Sequence, residues 1–283
     1  MIESSPPPLE DSKRAVETPA SAAREGGSRE EARSGAPPAV EVVSWSEELP
    51  WLVQGVTTRG SSAGHSDGRG ELDLRLSGEV PVRATLDRWT FLTEALAMES
   101  VVVARQPHGP TVRTHRLAAP GIHIAPDCDG HLTRDPGLLL AVTVGDCVPV
   151  FLVAPGQRLV ALLHAGWRGI AAGILERGIH AFEERFGIDP DELLVHLGPA
   201  ICGSCYEVGP EVHRALHLPD PGRPIPLDLR AILWERAARA GVPPERIGAS
   251  AYCTVEDPRF FSHRGGDLGR QVAYLGVRAG GDR

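Results

Sequence analysis

The sequence predicts a layered α/β fold organised as one domain, and three observations carry that prediction. Leu138–Val144 and Val148–Val153 are continuous apolar runs of strand length. Arg158–Leu163 follows them across a Pro155-Gly156 turn, the pattern of a hairpin. Gly169–Phe186 carries apolar residues at roughly helical spacing. Strands apolar on both faces, set beside amphipathic helices, stack into layers.

In chain order, residues 1–40 hold six prolines with Ser, Ala, Gly and Glu, and almost no large apolar side chains. Such a stretch cannot bury enough surface to offset its ordering entropy, so a disordered tail is expected over 1–40 and the folded domain over 41–283. Val101–Ala104 reads as a strand opening into a turn. The Gly169–Phe186 helix presents Ile170, Ile174, Ile179 and Phe182 on one face, and Gly187 is its natural stop. Leu193–Leu197 is a further strand, and Val208–Leu216 and Leu227–Ala240 read as helices, the second ending at Gly241. Ile247–Tyr252 and Gln271–Val277 complete the set as strands.

Composition narrows the function. Of the 283 residues 42% are hydrophobic and 23% charged, an ordinary globular balance, and no run of eighteen apolar residues occurs to span a membrane. The first residues lack the apolar core of a secretory signal, and five cysteines are an odd number for a disulfide framework. A reduced, cytoplasmic setting is therefore expected. A net charge of -8 argues against sequence-independent nucleic-acid binding.

Chemistry concentrates where predicted strands end. Gly145-Asp146-Cys147 lies between two apolar runs, and His164-Ala165-Gly166-Trp167-Arg168-Gly169 lies between a strand and a helix. If the hairpin forms, Cys147 and His164 share one end of the sheet. That pair suits a Cys/His nucleophile, two ligands of a soft divalent metal with zinc first in line, or a buried thiol beside a hydrogen-bonded core histidine. His108, in the turn Gln106-Pro107-His108-Gly109, is the candidate third ligand. Three protein donors leave one tetrahedral position free, the arrangement of catalytic zinc, and about one zinc per chain is then expected.

Further blocks carry a resemblance. Asp129-Gly130-x-x-Thr133, Gly198-Pro199-x-Ile201, Cys205-Tyr206-Glu207-Val208-Gly209, Cys253-Thr254, Phe260-Phe261-Ser262-x-Arg264 and Gly269-Arg270 follow in order with those above. Together, from about Leu52 to Val277, they resemble the laccase-domain family, labelled multicopper polyphenol oxidoreductases and understood as zinc-dependent purine nucleoside phosphorylases. The resemblance implies a four-layer α/β fold similar to a bacterial deamidase toxin domain, with His108, Cys147 and His164 as zinc ligands and catalytic residues. It implies purine nucleosides and inorganic phosphate as partners, with free base and ribose 1-phosphate as products and with adenosine deaminase and methylthioadenosine phosphorylase side activities. Val56-Thr57-Thr58-Arg59 stands where the family has Phe-Ser-Thr-Arg, so Arg59 becomes a candidate phosphate contact. Arg168 and Asp73 become candidate substrate contacts, although Asp73 replaces an asparagine and, ionised, only accepts.

Other readings stay in view. A copper oxidase needs histidine clusters, yet eleven histidines include no His-x-His pair; copper remains a candidate on affinity grounds alone. A metal-free Cys/His hydrolase would use Cys147 and His164 directly, and a binding module would use the tail. Cys202-Gly203-Ser204-Cys205 has the spacing of a redox pair or half a zinc knuckle, but no second such spacing occurs and Cys202 is assigned no ligand role. His213 and His217 sit at i, i+4 without the glutamate of a metalloprotease motif, and His115, His123 and His131 have no evident fourth partner.

Overall fold

The computed structural model of the chain describes residues 29–32, 37–60, 73–74 and 81–280. In chain order these form β1 (Glu30–Ala32), β2 (Ala39–Val42), α1 (Val43–Glu48), β3 (Leu52–Thr57), α2 (Val82–Ala95), β4 (Ser100–Ala104), β5 (Val112–Thr114), β6 (Gly121–Ala125) and β7 (Gly130–Thr133). There follow β8 (Leu138–Val144), β9 (Val148–Ala154), β10 (Leu159–Ala165), α3 (Trp167–Ala171), α4 (Ile174–Phe186), β11 (Leu194–Leu197), β12 (Glu207–Val208) and α5 (Pro210–Ala215). The last are β13 (Ile225–Pro226), α6 (Leu229–Arg239), β14 (Ile247–Ala249) and β15 (Gln271–Val277).

Two sheets stack face to face. One runs β1-β2-β3-β15-β8-β4-β6 and the other β14-β11-β9-β10-β7-β5. Because β8, β9 and β10 are apolar on both faces, with Thr143 and His164 near the strand ends as the polar exceptions, each needs cover on both faces. One cover is the opposite sheet: Leu138, Leu140 and Val142 of β8 meet Phe151, Val153, Val160 and Leu162 of β9 and β10. The other cover is helical. Leu152, Ala161 and Leu163 pack on Ile174, Ile179 and Phe182 of α4 and Leu233 of α6, while Val101, Leu139 and Tyr274 pack on Trp89 and Leu92 of α2. The order helix, sheet, sheet, helix is the four-layer α/β arrangement that the sequence led us to expect. Among the described residues no helix is long and apolar enough to cross a membrane.

Most pairings are antiparallel. The predicted hairpin forms, with β9 and β10 in register from Leu159 opposite Ala154 to Ala165 opposite Val148. Arg158 closes its turn in the left-handed region at φ 48°. β8 and β9, adjacent in sequence, belong to different sheets, so Gly145-Asp146-Cys147 is the crossing between layers.

Two expectations need correction. The helix read as Gly169–Phe186 is two helices, α3 and α4, because Gly173 stands between them at φ 83°, a backbone state that L side chains resist. The folded chain also begins before residue 40. β1 pairs antiparallel with β2, Glu30 opposite Val42, and the Glu30 carboxylate accepts hydrogen bonds from His196 Nε2 at 2.9 Å and from Ser250 Oγ. Polarity there marks a buried hydrogen-bonding role for Glu30, whose side chain is only 5% exposed. The rest of the expected tail, residues 1–28 and 33–36, lies outside the described residues.

Candidate metal and substrate site

His108, Cys147 and His164 converge, and their donor atoms all lie within 4.8 Å of one another. The antiparallel β9–β10 register places Cys147, just before β9, beside the end of β10 that carries His164. His108 comes from the turn after β4, which is pinned from both sides. The Gln106 side-chain amide donates to Thr143 O at 2.8 Å and accepts from Thr143 N at 2.8 Å, mimicking a strand partner along β8. Asp129 holds the rest. Its Oδ1 accepts from His108 N at 3.0 Å and its Oδ2 from Gly109 N at 2.7 Å, fixing a turn in which His108 adopts φ 63°.

The same buried carboxylate orients the third donor. His164 Nδ1 lies 2.8 Å from Asp129 Oδ1, leaving Nε2 for the Cys147 side of the ring. A carboxylate on the far nitrogen fixes tautomer and basicity, as it does for metal-ligating histidines generally. Burial works against ionising Cys147, but the His164 charge and hydrogen bonds from His108 and His164 overcome it and hold the thiol down at about 6. His164 is raised to about 9 against its own burial, first by the Cys147 charge and then by Asp129. The protein alone thus favours a thiolate beside an imidazolium.

The site fits a metal ion on its own geometry. Two imidazoles and a thiolate are a zinc donor set, and Gly166 leaves the space they need: a Cβ there would stand 2.9 Å from Cys147 Sγ and 3.1 Å from His108 Cδ2. Burial is graded, from His164 inside to the exposed His108, so the centre opens to solvent on one side.

Around it lie residues that the spacing argument did not single out. Asp146 occupies φ 99°, a costly state for a non-glycine residue, and its carboxylate over-determines it. Thr254 Oγ1 donates to Asp146 Oδ1 at 2.6 Å, Ser262 Oγ at 2.8 Å, and Arg264 N donates to Oδ2 at 2.7 Å. The Tyr206 hydroxyl is pushed up to about 12 by burial and the Cys147 charge, while Arg264 and Arg168 pull the other way. Arg264 adjoins the centre through its backbone bond to Asp146, the residue before Cys147, and Arg168 follows two residues after Gly166, which faces Cys147 Sγ. Arg264 stacks over Tyr206 at 5.2 Å and Arg168 over Trp167 at 4.2 Å. The signal for Tyr206 and Arg264 was present in the matched blocks, but no spacing rule ties them to Cys147.

The remaining expected contacts have partners inside the protein. Arg59 donates through Nη2 to Asp267 Oδ2 at 2.7 Å and to Phe260 O at 3.0 Å, and lies 4.4 Å over the Phe261 ring. Asp73 is buried and accepts from Arg270 N at 3.2 Å, and the Arg270 side chain covers Gly145. His115 and His131 do meet, 2.9 Å apart, with Cys128 beside them, whereas His123 bonds to Ala119 O instead.

A family model described as multi-copper polyphenol oxidoreductase laccase matches residues 55–278. The chain belongs to that family. It is 36% identical over 208 residues to the purine nucleoside phosphorylase YlmD of Geobacillus stearothermophilus, covering 68% of this chain and 73% of that protein. It is 30% identical over 242 residues to the adenosine deaminase RL5 of an unknown prokaryotic organism, covering 75% of this chain and 89% of that protein. The crystal structure of YlmD from Geobacillus stearothermophilus superposes with a TM-score of 0.79 at 31% identity, over 89% of this chain and all of that one. The match spans all three converging donors and both sheets except β1, β2 and the start of β3.

Proposed function

We propose that the chain is a zinc-dependent purine nucleoside phosphorylase, cleaving adenosine-, inosine- or guanosine-type nucleosides with phosphate. The observation that carries this is the open His108–Cys147–His164 centre braced by Asp129, in a chain whose relative YlmD is named a purine nucleoside phosphorylase. A zinc ion held by those three residues would supply Lewis-acid polarisation of an oxygen at the site. In the reaction a phosphate oxygen bonds to C1′ while the C1′–N9 bond breaks, and the purine leaves with a proton.

The chain's own groups are suited to that charge balance. Arg168, two residues after the Gly166 that faces Cys147, and Arg264, whose backbone N bonds to Asp146 and whose Nη atoms also donate to Glu207 O at 3.1 Å, would offer planar guanidinium groups to the phosphate oxyanion. α3 is only five residues long, so its dipole adds little and the arginines dominate. Tyr206 keeps its proton far above neutral pH and can donate a hydrogen bond to the departing base or to ribose. Arg59 does not face phosphate as a free charge in this reading. It acts through Asp267, which also accepts from Ser262 N at 2.9 Å, and so holds the loop whose Ser262 bonds to Asp146. Asp73 serves the same loop from the Arg270 side.

The test is base release from inosine or adenosine with and without phosphate. Release should need phosphate, since water would otherwise have to replace a positioned nucleophile; equal release without it would make the protein a hydrolase. The likeness to RL5 favours adenosine deamination as a second reading, measured as ammonia formed from adenosine in phosphate-free buffer.

A further inference from the structure

A second cluster of donors lies apart from the trio. β11 and β14 run parallel, and the pairing extends past their ends through a bridge between Ala200 and Cys253. Just beyond the bridge each chain makes a tight turn. In one, Cys205 N donates to Cys202 O at 3.1 Å, bringing the first and fourth residues of Cys202-Gly203-Ser204-Cys205 together. In the other, Asp257 N donates to Cys253 O at 3.0 Å, and Cys253-Thr254-Val255-Glu256 offers a thiol and a carboxylate at the same spacing. The four donor atoms all lie within 4.8 Å of one another. No second Cys-x-x-Cys occurs in the sequence, but Cys-x-x-Glu stands in its place across the parallel pair.

We propose that Cys202, Cys205, Cys253 and Glu256 form a second, structural site for a soft divalent cation, with zinc as its natural occupant. Three thiolates and a carboxylate complete a tetrahedron, leaving no position for substrate, as structural zinc requires. Tetrahedral zinc with sulfur bonds of about 2.3 Å keeps its donors somewhat under about 4 Å apart, so only a small contraction of the observed cluster is needed. The two turns are already tied at the sulfurs: Cys202 N donates to Cys253 Sγ at 3.3 Å, an amide-to-sulfur bond between them. Glu256 Oε1 lies 3.4 Å from Cys205 Sγ and 3.7 Å from Cys202 Sγ, so it closes the cluster from the solvent side.

The cation would clamp two segments that both touch Asp146. Ile201 N donates to Asp146 O at 3.1 Å, and Thr254 Oγ1 donates to its carboxylate. Cys202 therefore passes from a residue without a ligand role to a member of a second set, and the expected content rises from one metal to two per chain.

The experiment is elemental analysis of full-length protein after zinc loading and removal of excess metal. The unmodified protein should hold two zinc ions per chain, Cys205→Ser and Cys253→Ser one each, His108→Ala one, and Cys205→Ser combined with His108→Ala none. Because a thiol variant can fail to fold, His108→Ala, which leaves this cluster intact, is also loaded with cobalt(II). It should show strong sulfur-to-cobalt charge-transfer absorption and tetrahedral ligand-field bands. One zinc in the unmodified protein, unchanged by Cys253→Ser, would overturn the proposal. So would cobalt-loaded His108→Ala without charge-transfer absorption, or a Cys202–Cys205 disulfide found by mass spectrometry in the metal-loaded protein, which would make the pair a redox couple.

Discussion

At the scale of single residues, the first centre depends on two that bind no metal themselves. Asp129 joins the His108 turn to His164 through three hydrogen bonds. Changing Asp129 to Asn keeps its size but removes the charge that fixes the imidazole, and zinc affinity should fall by roughly 10- to 100-fold. Competition against a fluorescent chelator measures this; unchanged affinity would show that Asp129 only shapes the turn. Gly166 sets the approach distance. A methyl group 2.9 Å from Cys147 Sγ must push the thiolate aside, so Gly166→Ala should lose zinc while keeping nearly the same melting temperature. Arg264→Ala should raise the KM for phosphate more than it lowers kcat, whereas Arg59→Ala should lower stability, because it unties Asp267. A phosphate-specific KM effect in Arg59→Ala would instead return that residue to the substrate.

At the scale of elements, the break between α3 and α4 and the first strand both have measurable consequences. Gly173→Ala forces a left-handed residue to carry a side chain and should cost about 1–2 kcal/mol, seen as a shifted denaturant midpoint. For the N-terminus, deletion of residues 1–28 should leave the melting temperature nearly unchanged. Deletion of 1–40 should not, because it removes β1 and half of β2 and takes the Glu30 carboxylate from the buried His196. That lost hydrogen bond alone corresponds to about 1–3 kcal/mol. Equal melting temperatures for the two deletions would show that β1 is dispensable.

At the scale of the whole molecule, stability should depend on pH through histidines kept neutral in the fold. Burial, then the His115 charge, pushes His131 down to about 3, and burial followed by Arg113 pushes His115 down to about 4. Both sit below the unfolded value near 6.5, so the unfolded chain takes up their protons first on acidification. Their contribution is present above about pH 6.5 and is progressively lost as the pH falls toward about 4 and 3. The melting temperature should therefore drop between about pH 6.5 and pH 4, and His131→Asn should show a shallower drop over the same range. A variant as acid-sensitive as the parent would place the titration elsewhere.

Sequence alone determined the elements whose environment is uniform. β8, β9 and β10 are apolar on both faces because both faces are covered, so composition marks them, and the hairpin turn then sets Cys147 beside His164. His108 was legible for the same reason, as a histidine in a turn just past an apolar strand. Tertiary structure decided what depends on partners that local periodicity does not reach. β8 and β9 part into separate sheets although they are neighbours in the chain. Polar Glu30 belongs inside against His196, 166 residues away, and Arg59 is taken up by Asp267, 208 residues away. The Cys202–Cys205 turn had only half a motif in sequence. Its other half begins at Cys253, 51 residues on, and is supplied by the parallel pairing of β11 with β14, because strand register, unlike local spacing, brings remote residues to the same height.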